Sequence, residues 1–442
     1  MNAHAENSSK GTSSWKGPFV VVTSLFFMWG FITVMVDALI PRLKDVFELE
    51  LWQAGLVQFA WFAAYGLISI PGGNMIERIG YKKGILVGLG LAGAGCLLFY
   101  PAAATRMYPI FLLALFVVAS GITILQVAAN PYISVLGDPK GASSRLNLAQ
   151  AFNSLGTTIA PLVAAGWLLG DRILNADEQS ALGAEALEQY RLAEAAAVQG
   201  PFVVLALAFG ALALLIGLAK LPQILGRSAH GTYGEVMRNK RLMGGAVGIF
   251  VYVGAEVAIG SYMVNYGLDL GIASEILAHP VLRSLVDAAA WLKGGDAAGM
   301  DAKAAIGALL AFYWGGAMLG RFLGSGLMQI VRPGWILSGF AAVAAVLVLS
   351  STLSTGIAAL TLLLMVGLMN SVMFPTIFTL AIDDLGDAKP LGSGVLCTAI
   401  VGGAVIPPVV GAVAGSFGFG LALLLPMVCY GYIAWYGQMS AR

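Results

Sequence analysis

Five carboxamides stand where a chain this apolar would be expected to carry hydrocarbon. The run Leu125–Gly137, LQVAANPYISVLG, is followed closely by Arg145–Gly156, RLNLAQAFNSLG, and between them they hold Gln126, Asn130, Asn147, Gln150 and Asn153. An amide left unpaired in hydrocarbon is strongly disfavoured, so each of these must face a partner, a neighbouring helix or water. Gln126 and Asn130 are four residues apart and Gln150 and Asn153 three, spacings that put each pair on one helix face. Two polar faces in consecutive apolar segments read as the wall of a polar cavity. Its amides would both donate to and accept from a neutral, hydroxyl-rich solute. The alternative is that the amides join one membrane helix to the next.

Charges inside apolar segments are rare and therefore informative. Asp37 stands in VMVDALIP, four residues before Pro41, and Glu256 stands in YVGAEVAIGSY, thirteen residues beyond Met243. A low dielectric penalises charge, so the ionisation of such a carboxyl is a means of coupling a cation to solute binding. Asp37 and Glu256 are the candidates for that coupling; the alternative for each is a carboxyl hydrogen-bonded to a neighbouring helix. Arg321 reads as an interface or latch residue that snorkels toward water. Trp29, Tyr252, Phe312, Tyr313, Trp314 and Phe374 are aromatics on which a sugar ring could stack, although each alone fits core packing as well. Gln126, Asn130, Gln150, Asn153, Asn370, Phe374 and Tyr313 form the candidate solute-binding set. His4, His230 and His279 lie in tails or loops, and no span pairs a nucleophile with a base, so neither an enzyme nor a metal site is expected. Cys96, Cys397 and Cys429 fall in apolar runs and outline no disulfide framework or zinc site; no cofactor is expected.

The elements that must position these residues follow from composition. Of 442 residues 59% are apolar and 11% charged, against about a quarter charged in soluble chains. The fold class is an all-α polytopic membrane protein, with the lipid bilayer as its solvent. A net charge of +1, without basic clusters interleaved with aromatics, argues against nucleic acid as a partner. Spans of about 20 residues number twelve: six in an N-terminal half, 18–222, and six in a C-terminal half, 242–442. Residues 1–17 read as a cytoplasmic tail rather than a signal peptide, and 223–241 as a cytoplasmic linker. Two parallel halves of this kind surround a central binding site. Pro375, Pro407 and Pro408 interrupt the tenth and eleventh spans, 357–382 and 390–416, where a missing N–H bends a helix. The external stretches 171–199 and 269–303 read as short surface helices. With the N-terminus inside, sixteen of the 24 Lys and Arg fall on the cytoplasmic side, so both termini are expected there.

The turn after the second span reads GGNMIERIGYKKG, with Gly73, Glu77, Arg78, Gly80, Lys82 and Lys83 in a pattern that resembles the signature loop of the major facilitator superfamily. Its job would be a tight turn at Gly80 carrying charges that latch the ends of the bundle; an ordinary positive-inside turn is the alternative. MWGFITVMVDALIPRLK, QVAANPYISVLG, RLNLAQAFNSLG, FVYVGAEVAIGSY and FPTIFTLAIDDLG together resemble the fucose–galactose–glucose:cation symporter family of that superfamily. The resemblance implies a twelve-helix major facilitator fold with two six-helix halves. It also implies a monomer in the bacterial inner membrane that imports a neutral hexose with H+, or with Na+. It implies that Asp37 is needed for transport and that Gln150 and Asn153 face the sugar. Phe374 replaces a cavity tyrosine of the fucose branch. Gln126 replaces a glutamate and cannot titrate, whereas Glu256 stands where that branch has a glutamine. The acid has in effect moved from the first half to the second, as in glucose/galactose-type members. Glucose, galactose or an N-acetylhexosamine is therefore expected ahead of fucose. An exporter on the same fold and a non-transporting sugar sensor are the alternatives.

Overall fold

The computed structural model describes residues 15–46, 51–167, 181–224, 231–292 and 302–441, and among these there is helix and turn but no strand. The first half contains α1 (Lys16–Val46), α2 (Leu51–Ile79), α3 (Tyr81–Thr105), α4 (Tyr108–Val135), α5 (Ala142–Trp167) and α6 (Ala184–Leu218). The short α7 (Tyr233–Val236) leads into α8 (Lys240–Asp269), α9 (Ala273–Ala278), α10 (Pro280–Leu292), α11 (Ala302–Leu327) and α12 (Pro333–Leu353). Two broken helices follow, α13 (Gly356–Asn370) with α14 (Met373–Ile382) and α15 (Lys389–Thr398) with α16 (Gly402–Phe417), then α17 (Phe419–Ala422) and α18 (Leu424–Ala441). Two helix starts after the linker carry side-chain caps: Thr232 and Glu235 form a reciprocal capping box on α7, and the Asn239 side chain accepts from the Leu242 N–H on α8.

Among the described residues eleven stretches are long and apolar enough to cross a bilayer. The remaining crossing of a twelve-helix bundle is α5. Its 26 residues reach about 39 Å at 1.5 Å per residue, but Arg145, Asn147, Gln150 and Asn153 keep it less apolar than the rest. A helix that polar is tolerable only when other helices surround it, and α5 packs on α1, α4, α11 and α14.

One expectation is corrected. Residues 184–199 do not form a separate surface helix; they run without a break into the sixth span, making α6 a single helix of 35 residues. The Ala/Glu/Leu-rich stretch offers good helix formers, and α6 runs through the Gly200-Pro201 pair that would ordinarily mark a helix end. Residues 168–180 lie outside the described part. The stretch 269–303 does fold into the short helices α9 and α10 as far as Leu292.

Pro375 acts as anticipated in the tenth span, whereas Pro407 and Pro408 lie inside the unbroken α16 and the eleventh span breaks earlier, at Ala399–Val401. Pro375 has no N–H to offer the Ser371 carbonyl four residues back, and the chain breaks between Asn370 and Met373. The orphaned Ser371 oxygen instead accepts from Arg321 Nε of α11 at 3.2 Å.

The halves meet along α2 against α15, α4 against α15, and α5 against α11 and α14. Lipid tails are as apolar as leucine, so close packing and hydrogen bonds hold such contacts rather than expulsion of water. At the end of the bundle where α1 starts and α18 ends, Ser144 Oγ donates to the Ser325 carbonyl at 2.7 Å. There too Ser143 and Thr379 share a 2.6 Å hydroxyl bond, and Ser393 Oγ donates to the Val127 carbonyl at 2.9 Å. Asn147 belongs to this seam: its amide donates to the Ser143 carbonyl, to Thr376 Oγ1 and to Met328 Sδ. This seam closes that end.

Candidate functional site

Between the halves lies a cavity of ≈ 180 Å³. Pockets for drug-sized ligands run about 300–1,000 Å³, so this one suits a smaller solute. The first half contributes Trp29 from α1, Gln126 from α4, and Gln150 and Asn153 from α5; the second contributes Tyr252, Val253 and Glu256 from α8, Arg321 from α11, Phe374 from α14 and Ile400 from the turn between α15 and α16. Helical spacing explains the pairs: Gln150 with Asn153 and Tyr252 with Glu256 are one turn apart.

Most of the polar groups are held in place by protein partners. Gln126 Nε2 donates to Tyr65 Oη at 2.5 Å and Asn153 Nδ2 to the Phe26 carbonyl at 2.9 Å. Each amide is thereby oriented, and among the described residues nothing donates to its oxygen. Gln150 Nε2 donates to Asn130 Oδ1 at 3.3 Å. Tyr252 Oη donates to Glu256 Oε1 at 2.6 Å, while Tyr313 Oη lies 3.4 Å from the Glu256 carbonyl oxygen as its donor. Asn370 Nδ2 in turn donates to Tyr313 Oη at 2.7 Å. Arg321 bridges the halves: besides Ser371 it donates to Ser154 Oγ, and to the Gln150 carbonyl at 3.5 Å, both on α5. Trp29 packs on Phe26 with ring centroids 5.3 Å apart, and Phe152 meets Phe322 across the halves at 5.8 Å.

The structure therefore brings Gln126, Gln150, Asn153, Glu256 and Phe374 to one void. It puts Asn130, Asn370 and Tyr313 behind that wall, fully buried, with Asn130 supporting Gln150 and Tyr313 supporting Glu256. Asn147 joins helices across the seam, while Gln126, Gln150 and Asn153 line the void. Asp37 falls within α1, but its side chain lies outside the described residues. Arg321, read from the sequence as an interface latch, does latch α11 to α5 and also lines the void. The sequence signal for it was the residue type alone: a guanidinium six residues before the end of α11 lies about 9 Å inside that end. Ile400 and Val253 carry no signal of their own.

The arrangement offers amide oxygens as acceptors, a carboxyl and a guanidinium as charged or charge-assisted partners, and indole and phenyl faces. Among the described residues no three His, Cys, Asp or Glu side chains gather as a metal site.

The turn Gly73–Lys83 sits at the closed end. Gly80 has φ +86°, the left-handed conformation that a turn between α2 and α3 requires of a residue without Cβ. A Cβ on Gly73 would stand 2.9 Å from the Pro390 carbonyl oxygen of α15 and 2.5 Å from Tyr233 Oη, so glycine lets α2 and α15 meet. Glu77 Oε1 accepts from the Gly231 N–H at 2.9 Å, tying the turn to the linker between halves. Lys82 Nζ donates to the carbonyls of Gly217 and Ala219 at 2.7 and 2.8 Å, satisfying the C-terminal end of α6. Arg78 and Lys83 are exposed.

A bundle of membrane-crossing helices in two halves, closed at one end around a small polar void, defines a membrane carrier rather than an enzyme. The family model of the Major Facilitator Superfamily matches residues 19–408. The chain belongs to that superfamily. It is 44% identical over 99% of its length to a glucose/galactose transporter of Brucella abortus biovar 1 (strain 9-941), covering 97% of that protein. It is 32% identical over 96% of its length to the L-fucose-proton symporter of Escherichia coli (strain K12), covering 93% of it. Its fold superposes with TM-score 0.86, at 30% identity, on the crystal structure of a major facilitator transporter, FucP, in the outward conformation, over 97% of this chain and all of the other.

Proposed function

We propose that this protein imports a neutral hexose together with a cation, H+ ahead of Na+, by alternating access of the central void to the two sides of the membrane. The observation that carries the reading is the void itself: amides of the first half and a carboxyl of the second face the same space. Sugar hydroxyls leaving water need acceptors and donors to replace it, and oriented amides supply both without a net charge. The named relatives, a glucose/galactose transporter and a fucose-proton symporter, support a sugar and a coupled proton. Glucose, galactose or an N-acetylhexosamine is favoured over fucose, on the higher identity to the glucose/galactose relative and on Gln126 and Glu256.

In this reading the two termini are cytoplasmic, the membrane is a bacterial inner membrane, and the closed seam at Ser143, Ser144 and Ser393 is the inner gate. Glu256 carries the coupling, with Asp37 on α1 as its candidate partner in that role. Cotransport requires that cation and sugar each bind the occluded state better when the other is present. The purified chain in proteoliposomes loaded with unlabelled sugar is expected to show counterflow of labelled glucose, galactose or N-acetylglucosamine, and an imposed proton gradient is expected to drive accumulation. Absence of counterflow for every hexose tested, in a preparation that remains folded, rules the reading out.

A further inference from the structure

A second and larger cavity, ≈ 1090 Å³, lies at the closed end against the turn between α2 and α3 and the chain leaving α6. Arg78, Lys82, Lys83 and Lys220 line it, with Glu77 the one acid among the lining residues. Glu77 is already engaged with the linker through Oε1, and Lys82 with the end of α6. Arg78, Lys83 and Lys220 are exposed and take no hydrogen bond or ion pair among the described residues. Three exposed cations thus face one concave space in which Glu77 is the one acid of the lining.

The lining of the same cavity is also partly apolar. Leu86 and Leu218 line it, and Leu218 is 76% exposed. Leu214, Leu215 and Val87 continue that exposed apolar surface down α6 and α3. The cavity therefore lies where two candidate membrane spans end: α3 begins at Tyr81 and α6 ends at Leu218. A small soluble anion would use the cations and leave the leucines idle. A molecule with an anionic head and an acyl chain uses both, and basic pockets at the ends of membrane helices recognise such heads.

We infer that this cavity is a binding site for an anionic glycerophospholipid, its phosphate held by Arg78, Lys83 and Lys220 and its acyl chain laid along Leu218 and Leu86. The site is independent of the central void and of which sugar is carried. Through Glu77 and Gly73 the same turn touches the linker and α15, so an occupied site braces the closed end.

The test uses the full chain in detergent, with native mass spectrometry counting retained phosphatidylglycerol or phosphatidylcholine. One phosphatidylglycerol is expected to be retained in preference to phosphatidylcholine, with affinity falling as salt rises. The variant R78Q/K83Q/K220Q is expected to lose on the order of a hundredfold in phosphatidylglycerol affinity, from about fivefold per cation. Leu218→Glu is expected to weaken phosphatidylglycerol as well, by opposing the chain. Unchanged phosphatidylglycerol binding in the folded triple variant overturns the inference. So does displacement of the lipid by glycerol 3-phosphate at equal concentration, which would mark a soluble phosphate site. Should the triple variant not fold, unchanged retention by Leu218→Glu overturns it alone.

Discussion

Glu256 and Arg321 are the two charged side chains at the central void, and they do different work. Glu256 is held from one side by Tyr252 and has its own carbonyl approached by Tyr313, so its carboxyl has a fixed place from which to meet solute. Replacing it with glutamine keeps an oxygen for Tyr252 but removes the titratable group. Glu256→Gln is expected to retain counterflow to within about tenfold, the worth of one exchanged hydrogen bond, while proton-driven accumulation falls to the equilibrium level. Accumulation at the wild-type ratio with unchanged affinity would remove Glu256 from the coupling. At this scale the sequence is a good guide to which groups meet and a poor one to depth. Gln126, Gln150, Asn153 and Glu256 were legible because a polar residue in an apolar helix must face something other than lipid. That Asn130, Asn370 and Tyr313 stand one layer behind was not legible, since spacing gives the face of a helix but not the distance to its neighbour.

The elements carry their own consequences of local chemistry. Pro375 leaves the Ser371 carbonyl without its helical donor, and Arg321 Nε fills the gap from another helix. Arg321→Gln is expected to cost about 1–3 kcal/mol by stranding that carbonyl and Ser154. Pro375→Ala restores an N–H at the position facing Ser371, so the double variant is expected to recover about 1 kcal/mol relative to Arg321→Gln. Thermal unfolding of the four proteins in one detergent reads the cycle; strict additivity would show that the two groups do not share the carbonyl. The sequence announced the proline but could not say which residue would answer the orphaned oxygen, because that partner is fifty positions away. The opposite error came in α6, where good helix formers were read as a separate surface helix and instead lengthen a span. Its extension is pinned by a bidentate pair, Arg106 to Glu188 at 2.6 and 3.0 Å. Hydrogen bonding from Arg106 holds the Glu188 carboxyl below its ordinary value of 4.5. A depressed carboxyl contributes stability above the unfolded value and loses it as pH falls through the folded one. Glu188→Gln is thus expected to melt slightly earlier than wild type at neutral pH, with the gap closing as pH falls below 4.5. A gap that is independent of pH would assign the effect to packing instead.

For the molecule as a whole the composition fixes the class and the pattern of spans, because a chain with this little charge has no other solvent than lipid. What composition leaves open is which end of the bundle is shut, since that depends on side chains meeting across the halves. Here Ser144 on α5 and Ser325 on α11 have hydroxyl oxygens 3.3 Å apart, and the Ser144 oxygen also donates to the Ser325 carbonyl. If the halves rock about the central void, these two residues must part in every transport cycle. A disulfide there would forbid it, and the hydroxyl separation is close enough for two sulfurs to reach bonding distance with little backbone movement. The native Cys96, Cys397 and Cys429 are buried and so poorly placed to compete. Ser144→Cys/Ser325→Cys is expected to bind sugar whether oxidised or reduced. Its counterflow should fall to background on oxidation and return with reductant, whereas either single variant should be indifferent to both treatments. Unimpaired counterflow in the fully oxidised double variant would mean that this seam stays closed throughout the cycle, and that solute leaves the void by a route that does not part α5 from α11.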